Sequence, residues 1–192
     1  MRRVRVAVLI SGNGSNLQAL IDACKEPNYP AQIVLVISNV AHVMGLDRAS
    51  KAHIPTMVIP HHTFESREAF DNAVDAALIT YKVELVCLAG FMRVLSDPFT
   101  RQWAGKLINI HPSLLPKYKG LNTHARALEA GDKEHGATVH WVTPDLDSGE
   151  IIVQETIPIL DGDTPSLLKN RIHALEHMLY PMALEQVARE ML

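Results

Sequence analysis

The stretch "VRVAVLISGNGSNLQALIDACK", Val4 to Lys25, decides the fold. Its first seven residues are almost continuously apolar, with Arg5 the one interruption. A strand with one wet face alternates, whereas a strand covered on both faces reads as an unbroken apolar run, as in parallel sheets flanked by helices. The turn-forming "SGNGSN" follows, Ser11 to Asn16, and then a helix-like segment from Asn16 to Lys25. Strand, glycine turn and helix together make one half of a βαβ unit.

The same rhythm continues. Apolar, β-branched runs stand at Ala31–Ser38, Thr56–Ile59, Glu84–Gly90 and Lys106–Ile110, with helix-like segments at Gly45–Ala52 and Ser66–Lys82 between them. Ser66 is placed to cap the second of these. Right-handed crossovers and a mostly parallel, twisted sheet with helices on both faces are expected. Beyond Gly120 the pattern changes: a short helix at His124–Gly131 precedes two strands, Gly136–Thr143 and Glu150–Ile159, joined by the turn-rich "PDLDSG". These predict a C-terminal antiparallel hairpin. From Thr164 onward Leu167, Leu168, Ile172, Leu175 and Met178 keep helical spacing up to Pro181, where a kink or break is expected.

The 192 residues, 47% of them hydrophobic, can fill one substantial core, and a single α/β domain spanning 1–192 is expected. A net charge of −3 gives no basic surface in bulk, which argues against nucleic-acid partners. The apolar run after the first arginines is too short for a signal peptide, and no segment approaches the roughly 20 apolar residues of a membrane span. With Cys24 in an apolar helix and Cys87 in an apolar strand, a reduced, cytoplasmic protein is expected.

Chemistry enters at "KLINIHPSLLPKYKG", Lys106 to Gly120. Strand alternation sends Ile108 and Ile110 to one side and Asn109 and His111 to the other, and Pro112 ends the strand just beyond. His111 therefore belongs at the carboxyl rim of the sheet, where open parallel sheets bind ligands. A histidine moves protons near neutral pH and an Asn amide can donate to an oxyanion. A third group should orient the ring; Asp147, in the hairpin turn, is the candidate, with Asp145 next. For "SGNGSN" a phosphate cradle and a plain strand-to-helix turn fit equally, and the motif is neither G-x-G-x-x-G nor a P-loop. Ten histidines invite a metal, but no H-E-x-x-H or C-x-x-C is present and none is expected.

Taken in order, "SGNGSNLQALI", "SREAF", "LAGFMRVLS", "INIHPSLLPKYKGLNTHARALEAGDKEHGATVH", "DLDSGEII" and "LEHMLYP" resemble the folate-dependent phosphoribosylglycinamide formyltransferases of purine biosynthesis. The resemblance runs through nearly the whole chain. It implies a Rossmann-like formyltransferase fold whose N-terminal half binds the nucleotide phosphate and whose C-terminal half binds folate and carries catalysis. The reaction implied is transfer of the formyl group of 10-formyltetrahydrofolate, a co-substrate, to the glycyl amine of glycinamide ribonucleotide. It further implies that Asn109, His111 and Asp147 are catalytic, with Asp147 favouring the charged form of His111. On the same grounds Gly14, Ser15, Asn16 and Glu176 hold the nucleotide, while Arg67, Met92, Arg93, Val94 and Leu95, with Asn109, hold the folate. The chain departs from the family pattern at Ser148 and Glu150, where glycine and proline are expected, and it ends at Leu192, before the short further segment of bacterial members. Methionyl-tRNA formyltransferase and formyltetrahydrofolate hydrolase share the three catalytic residue types, but each normally carries a further domain that 192 residues do not accommodate. A non-catalytic nucleotide- or folate-binding module would need no proton-transfer group. A weak homodimer fits the reading of its assembly.

Overall fold

The computed structural model describes residues 2–192. One seven-stranded sheet, ordered β3-β2-β1-β4-β5-β6-β7, runs through it. Strands β1 (Val4–Ile10), β2 (Ala31–Ser38), β3 (Thr56–Val58), β4 (Leu85–Leu88) and β5 (Leu107–His111) are mutually parallel. β6 (Glu134–Trp141) then pairs antiparallel with β5, and β7 (Ile151–Pro158) antiparallel with β6, as the hairpin signal predicts.

Alternation along the buried strands feeds two apolar layers. Val4, Val6, Val8 and Ile10 of β1 enter one core with Ile108 and Ile110 of β5, and it is closed by α1 (Ser15–Cys24), α2 (Met44–Lys51) and α6 (Pro165–Glu190). Ala7 and Leu9 point the other way, into a core with Phe70, Val74 and Leu78 of α3 (Arg67–Thr80) and Phe99 of α4 (Asp97–Gln102). α5 (Thr123–Glu129) packs against α6. Ser66 caps α3 as expected, its hydroxyl accepting the Ala69 N–H at 3.0 Å. No described helix is long and apolar enough to cross a membrane.

Two expectations need correction. α6 does not break at Pro181 but runs unbroken from Pro165 to Glu190. A mid-helix proline costs about 3 kcal/mol, yet burying each large side chain gains about 1.5–3 kcal/mol, and Leu179, Tyr180, Leu184 and Val187 are all buried around it. Tyr180 also donates its hydroxyl to the Leu88 carbonyl at 2.8 Å, and Tyr29 to the Pro181 carbonyl at 2.7 Å, fastening both sides of the proline. Leu167 and Met178, placed on the buried stripe by spacing, face solvent; Leu168 and Ile172 carry it. The structure also adds α4 in a stretch to which the sequence reading assigns no element, announced by Ser96, Pro98 at the first turn and the stacked, buried pair Phe99 and Trp103.

Candidate active site

The carboxyl ends of β1, β4 and β5 lie side by side because these strands are parallel neighbours. Connections leave β1 toward β2 on one side and β4 toward β5 on the other, so the crevice between β1 and β4 is the topological switch point where such sheets hold ligands.

Beside it, β5 delivers Asn109 and His111. His111 is buried, and its Nε2 donates to the Tyr118 carbonyl at 2.8 Å. Its Nδ1 faces Asp147 Oδ2 at 3.5 Å, with both side chains 8% exposed. Nε2 therefore carries a proton, and Asp147 stands before Nδ1 as the nearest acceptor for a second. Asp147 sits in the β6–β7 turn with a left-handed φ of 48°, which aspartate tolerates, and its Oδ2 accepts the Gly120 N–H at 2.9 Å. The other candidate, Asp145, is exposed in the same turn and makes no contact with His111. The structure thus brings together Asn109, His111 and Asp147.

It adds a residue that sequence reasoning missed. His140 lies directly across from Asn109 in the β5–β6 ladder and is buried. Burial pushes its pKa down, so at neutral pH the ring is uncharged and its 3.8 Å approach to Asp147 Oδ1 is no ion pair. Nδ1 donates to the Trp141 carbonyl at 2.9 Å, which leaves Nε2 as an acceptor for the Asn109 amide at 3.4 Å. His140 thereby turns the NH2 end of Asn109 toward the group. Its alternation in "TVHWV" was legible, but the cross-strand register that makes it Asn109's neighbour was not.

On the β1 side, Gly14 takes a left-handed φ of 74° and begins α1. No acidic residue lies in the first turn of α1 and no side chain caps it, so the amides of Ser15 and Asn16 point outward with the positive end of the helix dipole. Asn16 Nδ2 approaches Glu176 Oε2 at 3.4 Å, while Asn16 Oδ1 and His177 Nε2 are buried without a partner among the described residues. Arg48 brings a positive charge to the loop, donating to the Asn13 carbonyl at 2.8 Å and to its side chain at 2.9 Å. Burial raises the Glu176 pKa to about 7, opposed by the Asn16 hydrogen bond. It lowers that of His177, with Arg48 adding to the effect.

The expected folate residues follow β4. Met92 and Val94 are exposed apolar side chains, and Arg93 lies over the Phe70 ring at 4.8 Å with its Nε buried and unpartnered. Leu95 packs in the second core, so only its backbone can face a ligand. Arg67 stands exposed on the first turn of α3, one turn from Phe70. Ser11 ties the two sides together: it donates to Asn39 Oδ1 at 2.5 Å and accepts the Met92 N–H at 2.8 Å. Ser148 is held by Lys119 at 2.5 Å, and Glu150 is exposed. A cavity of about 300 Å³, lined by Leu114, Lys117, Tyr118, Asp132 and His135 among others, includes none of the three central residues, which instead occupy the rim. Among the described residues no group of three or more His, Cys, Asp or Glu is arranged to hold a metal.

Residues 4–184 match the family described as formyl transferase. Phosphoribosylglycinamide formyltransferase of Escherichia coli (strain K12) is 48% identical over 185 residues, covering 96% of this chain and 87% of that protein. The human trifunctional purine biosynthetic protein adenosine-3 is 54% identical over 187 residues, 97% of this chain, but the chain spans only 18% of its length. Among solved structures, the phosphoribosylglycinamide formyltransferase of Coxiella burnetii, in complex with CHES, superposes with a TM-score of 0.94 at 50% identity, covering 98% of this chain and 89% of that one. That of Brucella melitensis gives 0.94 at 49% identity, covering 97% and 96%.

Proposed function

The chain belongs to the formyl transferase family, among the phosphoribosylglycinamide formyltransferases, and on that premise we propose that it moves a formyl group from 10-formyltetrahydrofolate to the glycyl amine of glycinamide ribonucleotide. The observation that carries the proposal is the meeting of Asn109, His111 and Asp147 at the carboxyl rim, beside the switch point between the glycine loop and the loop after β4.

Attack of the amine on the formyl carbon makes a tetrahedral intermediate with a negative oxygen, and the folate nitrogen leaves only if it gains a proton. Two donors have capacity to spare for the oxygen. The 3.5 Å between His111 Nδ1 and Asp147 is longer than a full hydrogen bond, so that N–H is not consumed. The Asn109 amide meets His140 at 3.4 Å with one hydrogen and keeps the other free. Held before reaction in a largely buried setting, such donors stabilise the oxyanion without reorganising. Asp147 balances the imidazolium and accepts the proton lost by the amine, directly or through water; the same proton passes to the folate nitrogen as its bond to the formyl carbon breaks, which returns Asp147 to its carboxylate. The amine becomes a formamide, and the folate leaves with N–H.

The nucleotide phosphate is assigned to the amides of Gly14, Ser15 and Asn16 and the ribose side to Glu176. The folate is assigned to Arg67, Met92, Arg93, Val94, Asn109 and the Leu95 backbone. Gathering two bound substrates across one crevice supplies much of the remaining rate. We place the enzyme in the cytoplasm, acting on small molecules.

Absorbance of the folate product, recorded with glycinamide ribonucleotide present, absent or replaced by charged initiator tRNA, tests the proposal. Turnover only with the ribonucleotide is expected. Turnover without an acceptor, only with tRNA, or in no mixture overturns it.

A further inference from the structure

We propose that Arg126, Tyr118 and Asp132 form a clamp that sets the position of His111 relative to Asp147, and through it the rate of formyl transfer but not the affinity for either substrate. The inference rests on the reading of His111 and Asp147 as the catalytic pair.

One short segment grips both partners. The Tyr118 carbonyl takes the Nε2–H of His111 at 2.8 Å, and two residues on, the Gly120 N–H holds Asp147 Oδ2 at 2.9 Å. The 3.5 Å gap between imidazole and carboxylate is therefore spanned by the backbone from Tyr118 to Gly120. That backbone does not rest in its local minimum: Tyr118 has a φ of 58°, a left-handed conformation disfavoured for a bulky side chain, and it persists only where surrounding contacts impose it.

The contacts that impose it fall on the side chain and on carbonyls of the segment, where the Ser113 hydroxyl also donates to the Lys117 carbonyl at 2.6 Å and to the Tyr118 carbonyl at 3.3 Å. Tyr118 donates its hydroxyl to Asp132 Oδ2 at 2.6 Å, and the other oxygen of Asp132 accepts from Lys117 at 2.9 Å. The Asp132 side chain is 16% exposed, while Lys117 stands largely in solvent. The Arg126 guanidinium lies 5.2 Å from the centroid of the Tyr118 ring, within range of a cation–π contact. Arg126 Nη1 also donates to the carbonyls of Lys119, at 2.6 Å, and Leu121, at 3.2 Å, which flank Gly120. Arg126 thus fixes the segment by its backbone and Asp132 by the tip of its ring. None of the three residues reaches a reacting atom, so they act as positioning residues. A displacement of about 1 Å in a catalytic group can cost about a hundredfold in rate, so a segment that spans the pair is where such control would act.

The test uses the full chain with Tyr118→Phe, Asp132→Asn and Arg126→Gln. Its readouts are kcat, both KM values and the ring-nitrogen NMR signals of His111 in the free protein. Tyr118→Phe, which keeps the ring, should lower kcat about three- to tenfold, and Arg126→Gln at least about tenfold, with each KM within about twofold. The double variant should lose little more than Arg126→Gln alone, because both act on one device. In the native protein His111 should show a protonated, hydrogen-bonded Nε2, and the variants should weaken that signature. Folded variants with native kcat and an unchanged His111 spectrum overturn the clamp, as does a raised KM at native kcat. The two readings fail separately. A native spectrum without the Nε2 proton removes the clamp whatever the turnover, whereas full turnover by His111→Ala removes the catalytic reading and leaves the clamp to the spectra. Should Arg126→Gln fail to fold, Tyr118→Phe alone decides.

Discussion

His111 spends one ring nitrogen on the Tyr118 carbonyl and turns the other toward Asp147, and under the proposed mechanism that division makes its loss more serious than the loss of a typical buried side chain. His111→Ala should lower kcat by about 10²–10³-fold, the scale of removing a preorganised oxyanion donor, with the fold retained by circular dichroism. Near-native turnover in a folded variant would take His111 out of the mechanism. Asp147→Asn keeps the shape but not the negative charge, so kcat should fall by more than nucleotide affinity, and steady-state kinetics showing the opposite would recast Asp147 as a binding residue. Glu176 yields a pH prediction with a definite sign. Its carboxyl titrates near 4.5 when unfolded and about 7 when folded, so between those values the folded chain holds the extra proton. Stability from this group is therefore present at low pH and lost as pH rises through the window, by about 3 kcal/mol at about 1.4 kcal/mol per unit. Glu176→Gln should unfold at a higher temperature than the native chain at pH 8 and at a similar temperature at pH 4. Parallel melting curves across that range would show that Glu176 does not titrate as its burial dictates.

Elements meet at the glycine loop with almost no clearance. A Cβ added at Gly45 of α2 would lie 2.3 Å from Ile10 Cδ1 and 3.1 Å from the Gly12 carbonyl, and one at Gly14 would lie 2.7 Å from the Gly45 Cα. The Gly45 N–H also donates to the Gly12 carbonyl at 3.1 Å, so α2 and the loop are one packed unit. Gly45→Ala should therefore destabilise the protein by about 1–3 kcal/mol and weaken glycinamide ribonucleotide binding at least about tenfold. Calorimetry giving native affinity would disconnect α2 from the phosphate loop. Gly45 stood in the sequence as the first residue of a helix-like segment, with nothing local to mark it as the loop's neighbour. What the sequence does disclose is local: β1, β2 and β4 are largely apolar on both faces because both faces are covered, and Ser66 announces the start of α3 by its own hydroxyl. What it hides depends on tertiary contact. The run past Pro181 is held by packing that outweighs the local cost, and His140 gains its role only from its register opposite Asn109. Asn109 and His111 were legible as a pair because period-two alternation and the following Pro112 fix both their face and their place at the strand end.

At the scale of the whole molecule, the strand order sets the two proposed binding sites side by side, after β1 and β4, with the proposed catalytic group on β5 next to them. The glycine loop leaves β1, the Met92–Leu95 segment follows β4, and His111 ends β5, all on one rim. Ser11 bonds to both sides, through Asn39 and the Met92 amide. Each substrate should accordingly order its own side of the crevice. Hydrogen exchange makes this measurable, since loop amides open at low free-energy cost while those of the buried β1 and β4 open only with the core. Glycinamide ribonucleotide alone should slow exchange in residues 12–16 and in the turn of α6 around Glu176. A non-reactive folate analogue alone should slow it in residues 90–95, while the segment 118–120, already held in the free protein, should change little with either ligand. If the ribonucleotide instead protected residues 90–95 and left 12–16 unchanged, the two sites would have to be exchanged across the switch point. Protection spread evenly over all seven strands would mean that ligands stabilise the fold globally and that the two sides of the crevice are not ordered separately.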